Sequence, residues 1–142
     1  MAIFSIGRRT TDTTNTDACF DVAASSAARP ALMELGIALA AATPSTFGLN
    51  RPTAIGTRTA PVALLAEDPT HPAISDVDSA LAHSVQPTFA SEYLRRIGLP
   101  GTIGAGVIWT FPKGLIIDLS KSIALRNLGT NGVSDIYAVV DR

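Results

Sequence analysis

The stretch VIWTFPKGLIIDLSKSIAL, residues 107–125, decides how the rest of the sequence is interpreted. Its first five residues alternate, so that Val107, Trp109 and Phe111 share one face of an extended chain. Alternation with a period of two is typical of a β-strand, whereas a helix would repeat every 3.6 residues. Pro112-Lys113-Gly114 then provides turn chemistry, because proline presets φ and glycine relieves backbone strain. The pattern predicts a strand, a tight turn and a second strand.

The segment that follows extends this prediction to the end of the chain. After the turn, Ile116 falls on the face opposite the core face of its strand. Asn131-Gly132 is a strong hairpin signal, and Ser134–Val140 is expected to be the returning strand. We therefore predict a four-strand meander over Val107–Val140.

The upstream sequence favours further short strands. Nine prolines punctuate the chain, mostly 8 to 15 residues apart, and a helix interior tolerates none of them. The strand candidates with turn signals between them are Ala18–Ala24, Ser45–Asn50, Ala60–Ala66 and Leu81–Phe89. Such spacing is typical of an all-β sandwich or barrel.

Two segments are ambiguous. Ala31–Ala42 alternates like a strand but also carries leucines at helical spacing; Gly36 and the flanking prolines favour a strand. Ser91–Ile97 suits either a helical turn capped by Ser91 or an edge strand, and both alternatives stay open.

The expected fold is all-β, a jelly-roll-like antiparallel β-sandwich of about eight to ten short strands. Residues 18–142 are expected to form a single sandwich domain. Residues 1–17, with their run of Thr and Asn, are expected to form an extended N-terminal arm outside the core.

Composition excludes several classes of protein. Apolar residues make up 46% of the chain and charged residues 16%, which argues against disorder and against a coiled coil. The formal net charge of −1 gives no bulk attraction for a polyanion, so nucleic acid is not expected as a partner. No apolar run is long enough to span a membrane, and the N-terminus lacks the order of a secretory signal, so neither a membrane partner nor export is expected.

Three features were weighed for chemistry, and each favours a structural interpretation. Glu67, Asp68, His71 and Asp76 could supply a cation site, but the flanking prolines indicate an ordinary acidic loop. The glycine-rich run 101–106 lacks the ending of a phosphate-binding loop and favours a bend before a strand. Cys19 stands alone in an apolar strand and is expected to be a small buried hydrophobe. We therefore assign no catalytic residue, cofactor or metal ligand, and we expect that the protein is not an enzyme.

A subunit interface is the positive prediction. Apolar residues on both faces of an antiparallel strand indicate that the outer face is covered, and one small domain leaves another subunit as the cover. Adjacent arginine pairs suit ion pairs at such a contact. The candidate interface residues are Arg8, Arg9, Arg95, Arg96, Ile116, Tyr137 and Val139. A homo-oligomer is expected.

Four stretches of sequence carry a resemblance to a known group. They are Met33–Ile37 with Thr46–Leu49, then Ile108–Leu115, and finally Asp135–Asp141. In strand order and texture the chain resembles small β-rich virion proteins of tailed phages and related bacterial proteins. The resemblance covers most of residues 30–141 and carries over no catalytic residue. It implies a jelly-roll-like structural subunit of a virion, such as a capsid decoration or a head- or tail-associated protein, with other virion proteins as further partners.

Two alternatives from other functional classes remain. A ligand-binding β-sandwich, lectin-like or carbohydrate-binding, would need Trp109 and Tyr137 exposed and coplanar to stack on a sugar, although the strand pattern favours Trp109 in the core. A small cupin-type enzyme would need several metal-binding histidines, and the sequence has two, His71 and His83.

Overall fold

The protein is an antiparallel β-sandwich in a computed structural model that describes residues 2–11, 17–129 and 132–142. These residues form fifteen strands and no helix. The strands are β1 (Ile3–Arg9), β2 (Ala18–Ala24), β3 (Ala31–Leu39), β4 (Ser45–Asn50), β5 (Pro52–Ala54), β6 (Thr57–Thr59), β7 (Val62–Ala63), β8 (Leu65–Ala66), β9 (Val77–Ala80), β10 (Ala82–Val85), β11 (Thr88–Phe89), β12 (Arg95–Leu99), β13 (Gly106–Ile116), β14 (Ser122–Asn127) and β15 (Ser134–Asp141).

Two sheets enclose the core. One sheet has the strand order β13-β3-β15-β1-β8, and the other has the order β12-β4-β14-β2-β9-β7. Two ladders of two strands each, β5 with β11 and β6 with β10, complete the fold. The side chains between the sheets are apolar, and the bulkiest fully buried ones include Phe4, Phe20, Phe47 and Leu35. This arrangement confirms the predicted all-β sandwich.

Most predicted strands are confirmed. Ala18–Ala24 and Ser45–Asn50 are strands with the predicted bounds, and the ambiguous segment from Ala31 is the nine-residue strand β3. Of the open segment Ser91–Ile97, the part from Arg95 onward is an edge strand, and the part before it is neither helix nor strand. Strands outnumber the prediction because several segments of two to four residues form short ladders with segments elsewhere in the chain.

The predicted four-strand meander is wrong. β13 continues through Pro112-Lys113-Gly114, which form a bulge in its pairing with β3 rather than a turn. Proline and glycine suit bulges as well as turns, so local chemistry did not separate the two. β14 belongs to the six-stranded sheet and β15 to the five-stranded sheet. β14 and β15 do not pair with each other, so they are not the two strands of the hairpin predicted at Asn131-Gly132; Asn131 itself lies outside the described residues.

The predicted N-terminal arm is also corrected. Ile3–Arg9 pairs along its whole length with β15, from Ile3 opposite Asp141 to Arg9 opposite Asp135. Phe4 and Ile6 alternate into the core, and Phe4 is fully buried. β1 also pairs with β8 on its other side, so the segment is an internal strand of the five-stranded sheet. Residues 12–16 of the predicted arm lie outside the described part of the chain, and the assignment of 18–142 to one domain stays a prediction.

Candidate assembly surface

The five-stranded sheet has an outer face, which we call the open face. It is built from three cross-strand rows over β1, β15, β3 and β13, together with Ile116 at the end of β13. The rows are Ser5–Val139–Glu34–Thr110, Gly7–Tyr137–Gly36–Ile108 and Arg9–Asp135–Ala38–Gly106. Directly opposed residues of an antiparallel ladder share one face, so the side chains of these rows point away from the core. No strand among the described residues lies over this face.

Four of the seven predicted interface residues lie on the open face. They are Arg9, Ile116, Tyr137 and Val139. Ile116 is 49% exposed, and Ile108, which the sequence analysis did not select, is 61% exposed. The strand pattern placed Ile116, Tyr137 and Val139 opposite the core correctly. Whether they contact a partner remains a prediction.

Glycines hollow the middle of the open face into a groove of about 840 Å³. Gly7, Gly36 and Gly106 lie on three different strands and contribute no side chain to it. Gly106 also allows close approach of two strands, because an added Cβ would lie 2.3 Å from the carbonyl oxygen of Ile37. The groove is a shallow shape into which a protruding side chain could fit.

Tyr137 is the largest side chain on this face. Its ring lies against Gly36, where an added Cβ would come within 1.9 Å of Tyr137 Cε1. Its hydroxyl donates a 2.6 Å hydrogen bond to Glu34 Oε1, and that bond raises the pKa of Tyr137. Glycine opposite an aromatic residue is a common cross-strand arrangement, because the ring covers the backbone that glycine exposes.

A two-bond ion pair borders the groove. Arg9 Nε donates to Asp135 Oδ1 at 2.8 Å, and Arg9 Nη2 donates to Asp135 Oδ2 at 2.9 Å. The hydrogen bonds raise the pKa of Arg9 and lower that of Asp135. Both side chains are more than half exposed, at 65% and 55%.

The other three predicted residues lie elsewhere. Arg8 points to the opposite face of β1 and donates a 3.2 Å hydrogen bond from Nη1 to the carbonyl oxygen of Ser79 in the second sheet. Burial lowers the pKa of Arg8, although the charge of Asp21 opposes the shift. Arg95 and Arg96 lie on β12, at the edge of the six-stranded sheet. Their guanidinium carbons are 5.3 Å from the ring centre of Phe111 and 5.5 Å from that of Tyr93, which are cation–π distances.

The outer face of the six-stranded sheet differs, and we call it the covered face. Asp21, Gly48 and Arg126 point outward from it, and segments of the same chain lie over them. The ring of Tyr93 lies on Gly48, and the ring of Phe89 is 4.3 Å from the guanidinium of Arg126.

A polar cluster at Asp21 holds the β6–β10 ladder to this face. Arg58 Nε and Nη2 donate to the Asp21 carboxylate at 2.8 and 2.7 Å, and His83 Nε2 lies 3.0 Å from Asp21 Oδ2. Arg58 also contacts Asp78. Asp21 is fully buried and Arg58 is 12% exposed. Burial alone would raise the pKa of Asp21, but its hydrogen bonds and the charge of Arg58 outweigh this, so the pKa is lowered.

The sequence analysis missed this cluster, although one signal was available. Asp21 is a carboxylate within the apolar strand Ala18–Ala24, and a buried charge requires a partner. Arg58 and His83, the partners, lie opposite each other on the β6–β10 ladder, 37 and 62 residues from Asp21 along the chain.

Asp68, His71 and Asp76, which the sequence analysis considered for a cation site, each contact another residue of the chain. Asp68 accepts hydrogen bonds from Thr70, His71 packs edge-on against Phe4 at 5.2 Å, and Asp76 contacts Arg142. Within residues 2–11, 17–129 and 132–142, no three His, Cys, Asp or Glu side chains are grouped so as to hold a metal ion.

The glycine-rich loop and the cysteine are structural in their surroundings. Gly104 has a φ of 85° and donates its N–H to the carbonyl oxygen of Leu39 at 2.8 Å, which fixes the loop before β13. Cys19 is buried, as predicted, and burial raises its pKa to about 12.

The side chains that the carbohydrate-binding alternative needs do not lie together. Trp109 shares the inner row of its strand with Leu35 and packs against the core, whereas Tyr137 lies on the open face. The sheet separates the two rings, so they cannot form one stacking platform.

Comparisons with known proteins give little further information. No protein-family model matches the chain, and no curated protein matches it significantly. Similar solved structures include the coat protein dimer of Tobacco streak virus, with a TM-score of 0.34 at 11% identity over 97% of this chain and 85% of that one. A second crystal form of that coat protein has a TM-score of 0.32 at 10% identity, covering 97% of this chain and 86% of that one. Eiger TNF from S. frugiperda has a TM-score of 0.30 at 9% identity, covering 99% and 90%.

The weak structural neighbours thus include viral coat proteins. The described residues also include no helix long and apolar enough to cross a membrane.

Proposed function

We propose that this protein is a non-enzymatic structural subunit that assembles with copies of itself through the open face. The observation that carries the proposal is the difference between the two outer faces. The chain covers one with its own strands and leaves the other with exposed Ile108 and Ile116, a half-buried Tyr137 and a groove. Exposed apolar side chains on one face favour a protein partner, because burial removes them from water.

The open face has features that suit contact between copies of one chain. Arg9 and Asp135 lie side by side and offer both signs of charge to a partner. In a two-fold contact, Arg9 of each copy can pair with Asp135 of the other copy. Both charges of each copy then keep a partner of opposite sign. The groove beside them can accept a protruding side chain such as Ile108.

The finer part of the proposal is a place in a virion, as a capsid decoration or a head- or tail-associated subunit of a tailed phage. Its support is the resemblance in strand order and texture to small virion proteins of that group. A virion subunit is present in many copies, which agrees with a surface that contacts other copies of the same chain.

Sizing chromatography with light scattering tests the assembly. We expect a multimer at micromolar concentration and a shift towards monomer in Ile116→Asp, because a carboxylate on the open face would have to be desolvated on contact. Val85→Asp is the matched control, since Val85 is 59% exposed on β10, which pairs with β6 and lies outside the five-stranded sheet. A monomer at all concentrations, or equal effects of both variants, would overturn the proposal.

Electron microscopy of the purified protein tests the virion role. Rings, regular clusters or a lattice are expected of a capsid-associated subunit. Irregular or absent higher-order particles would contradict that role. A defined dimer would support contact between copies through the open face and would contradict assembly into a lattice.

A further inference from the structure

The free edge of β13 is the strongest remaining feature of the fold. β13 lies at the end of the five-stranded sheet, and among the described residues it pairs with β3 alone. An edge strand presents unpaired backbone N–H and C=O groups, which another strand can bind.

Two hydrogen bonds establish which groups on this edge are free. Leu39 N donates to Ala105 O on one side of β3, and Ala40 N donates to Val133 O on the other side. Along an antiparallel ladder, residues that hydrogen-bond to the neighbouring strand alternate with residues that do not. Because Ala105 bonds to β3, the odd-numbered residues Val107 and Trp109 also bond to β3. Gly106, Ile108 and Thr110 therefore direct their N–H and C=O groups away from the sheet.

The other end strands of the two large sheets carry features that discourage pairing. β7 and β8 have two residues each, and β12 carries Arg95 and Arg96. The second half of β13, from Pro112 to Ile116, is also protected. Pro112 has no N–H, and the carbonyl oxygen of Ile116 accepts a 2.5 Å hydrogen bond from Arg51. Short strands, charges and proline are the usual means of protecting an edge. Residues 106–111 have none of them.

We propose that residues 106–110 of β13 pair antiparallel with the same residues of a second copy, with Ile108 opposite Ile108 on the two-fold axis. This inference rests on the proposed function for the nature of the partner. It adds a second contact surface, the strand edge, and defines its register.

The register follows from the free groups. With Ile108 opposite itself, Gly106 pairs with Thr110 of the second copy, and all six free N–H and C=O groups of each copy are satisfied. A shift that centred the pairing on Trp109 would place Gly106 opposite Pro112, which cannot donate. The segment GVIWTF has no charge, so pairing it with itself opposes no like charges.

The side chains suit this pairing as well. Ile108, 61% exposed, would meet its counterpart on the open face. Val107 would lie opposite Trp109 of the second copy on the inner side, where Trp109 is only half-buried in one copy.

Amide hydrogen exchange measured by NMR across a dilution series of the unmodified protein tests the inference. Exchange at Gly106, Ile108 and Thr110 should slow by about tenfold or more when the multimer forms, because each amide gains a hydrogen bond. Exchange at Val107 and Trp109 should stay slow at every concentration. Alternation of fast and slow amides that is present in the monomer and lost in the multimer is specific to strand pairing, whereas side-chain packing would not remove it.

A cysteine pair provides a second readout that does not depend on assignment of the amides. Ile108→Cys should cross-link to itself on oxidation, because opposed Cα atoms of a ladder lie about 5.5 Å apart. Thr110→Cys, the matched control, should not cross-link, since it would face Gly106. Cys19 is buried and does not interfere.

The outcomes separate the two proposals. A multimer whose Gly106, Ile108 and Thr110 amides exchange as fast as in the monomer overturns the edge pairing and leaves assembly through the open face standing. Cross-linking of Thr110→Cys in place of Ile108→Cys overturns the register. A protein that stays monomeric overturns both.

Discussion

Two arginine–aspartate pairs of the same geometry lie on the two outer faces of this sandwich. Arg58 holds Asp21 through two hydrogen bonds on the covered face, and Arg9 holds Asp135 through two hydrogen bonds on the open face. Asp21 is fully buried and receives further bonds from His83 and the Ala80 N–H, whereas Asp135 is 55% exposed. The same pair thus fastens the chain to itself on one face and stays available to a partner on the other.

The largest expected difference is in the free energy of unfolding when the aspartate is removed. Asp21→Ala leaves Arg58 and His83 desolvated without their common partner, and breaking a buried pair costs about 3 kcal/mol or more. Asp135→Ala, the matched variant on the open face, should leave the stability near that of the unmodified protein because water replaces the lost contact. Urea denaturation measures both. Similar losses from the two variants would refute the distinction between the faces.

The two glycine–tyrosine contacts provide the next test. An added Cβ at Gly48 meets both Tyr93 and Leu128 Cδ1 on the covered face, so Gly48→Ala should cost about 2 kcal/mol through overpacking. Gly36→Ala should cost about 1 kcal/mol, the value of the Tyr137–Glu34 hydrogen bond, because the ring can move outward into solvent.

Ultraviolet titration gives these variants an independent readout. In Gly36→Ala the pKa of Tyr137 should fall towards its ordinary value of about 10 as the bond to Glu34 is lost. Gly48→Ala should leave that titration unchanged. A raised pKa that persists in Gly36→Ala would show that the ring has not moved.

Acid should destabilise the protein through protonation of Asp21 on the covered face. The lowered pKa of Asp21 means that its contribution to stability is complete above the ordinary carboxyl pKa of about 3.9. That contribution is lost as the pH falls through the lower pKa of the folded state, where protonation breaks the Arg58 contact. Urea midpoints measured between pH 5 and pH 2 should fall less steeply in Asp21→Asn than in the unmodified protein. Parallel curves would contradict this.

The smallest effect on folding is expected at Arg9. Arg9→Ala removes an exposed ion pair, so the urea midpoint should stay within error of that of the unmodified protein. If the open face joins copies of the chain, the same variant should weaken assembly in sizing chromatography, most clearly at low salt. A large loss of stability with unchanged assembly would reverse the assignment of the two faces.

Local sequence patterns predicted the bounds of several strands, but they could not predict which strands pair across long distances in the sequence. Ala18–Ala24 and Ser45–Asn50 could be predicted with their bounds because alternation and turn residues are local signals. Pro112 and Gly114 fit a turn and a bulge equally well, and the choice depended on β3, far away in sequence. The Asp21 cluster depends likewise on which strands the fold brings together.

The surface residues show the same limit. Strand parity placed Tyr137 and Ile116 on an outer face, since parity needs no knowledge of neighbours. Parity could not show that one outer face is covered by β6 and β10, nor that Arg95 and Arg96 rest on aromatic rings.

The position of β15 has a consequence for how the molecule reaches its native state. β15 lies between β3 and β1 and pairs with both, so neither ladder can form until Ser134–Asp141, which is far along the chain from both strands, is in place. The entropy of closing very long loops must therefore be overcome before either ladder can form. Chains with such high contact order fold on a timescale of about milliseconds to seconds, far more slowly than helical bundles. During that interval the unprotected half of β13 is available to any neighbouring chain, so the edge that suits pairing in the native protein is also its hazard in a crowded refolding solution.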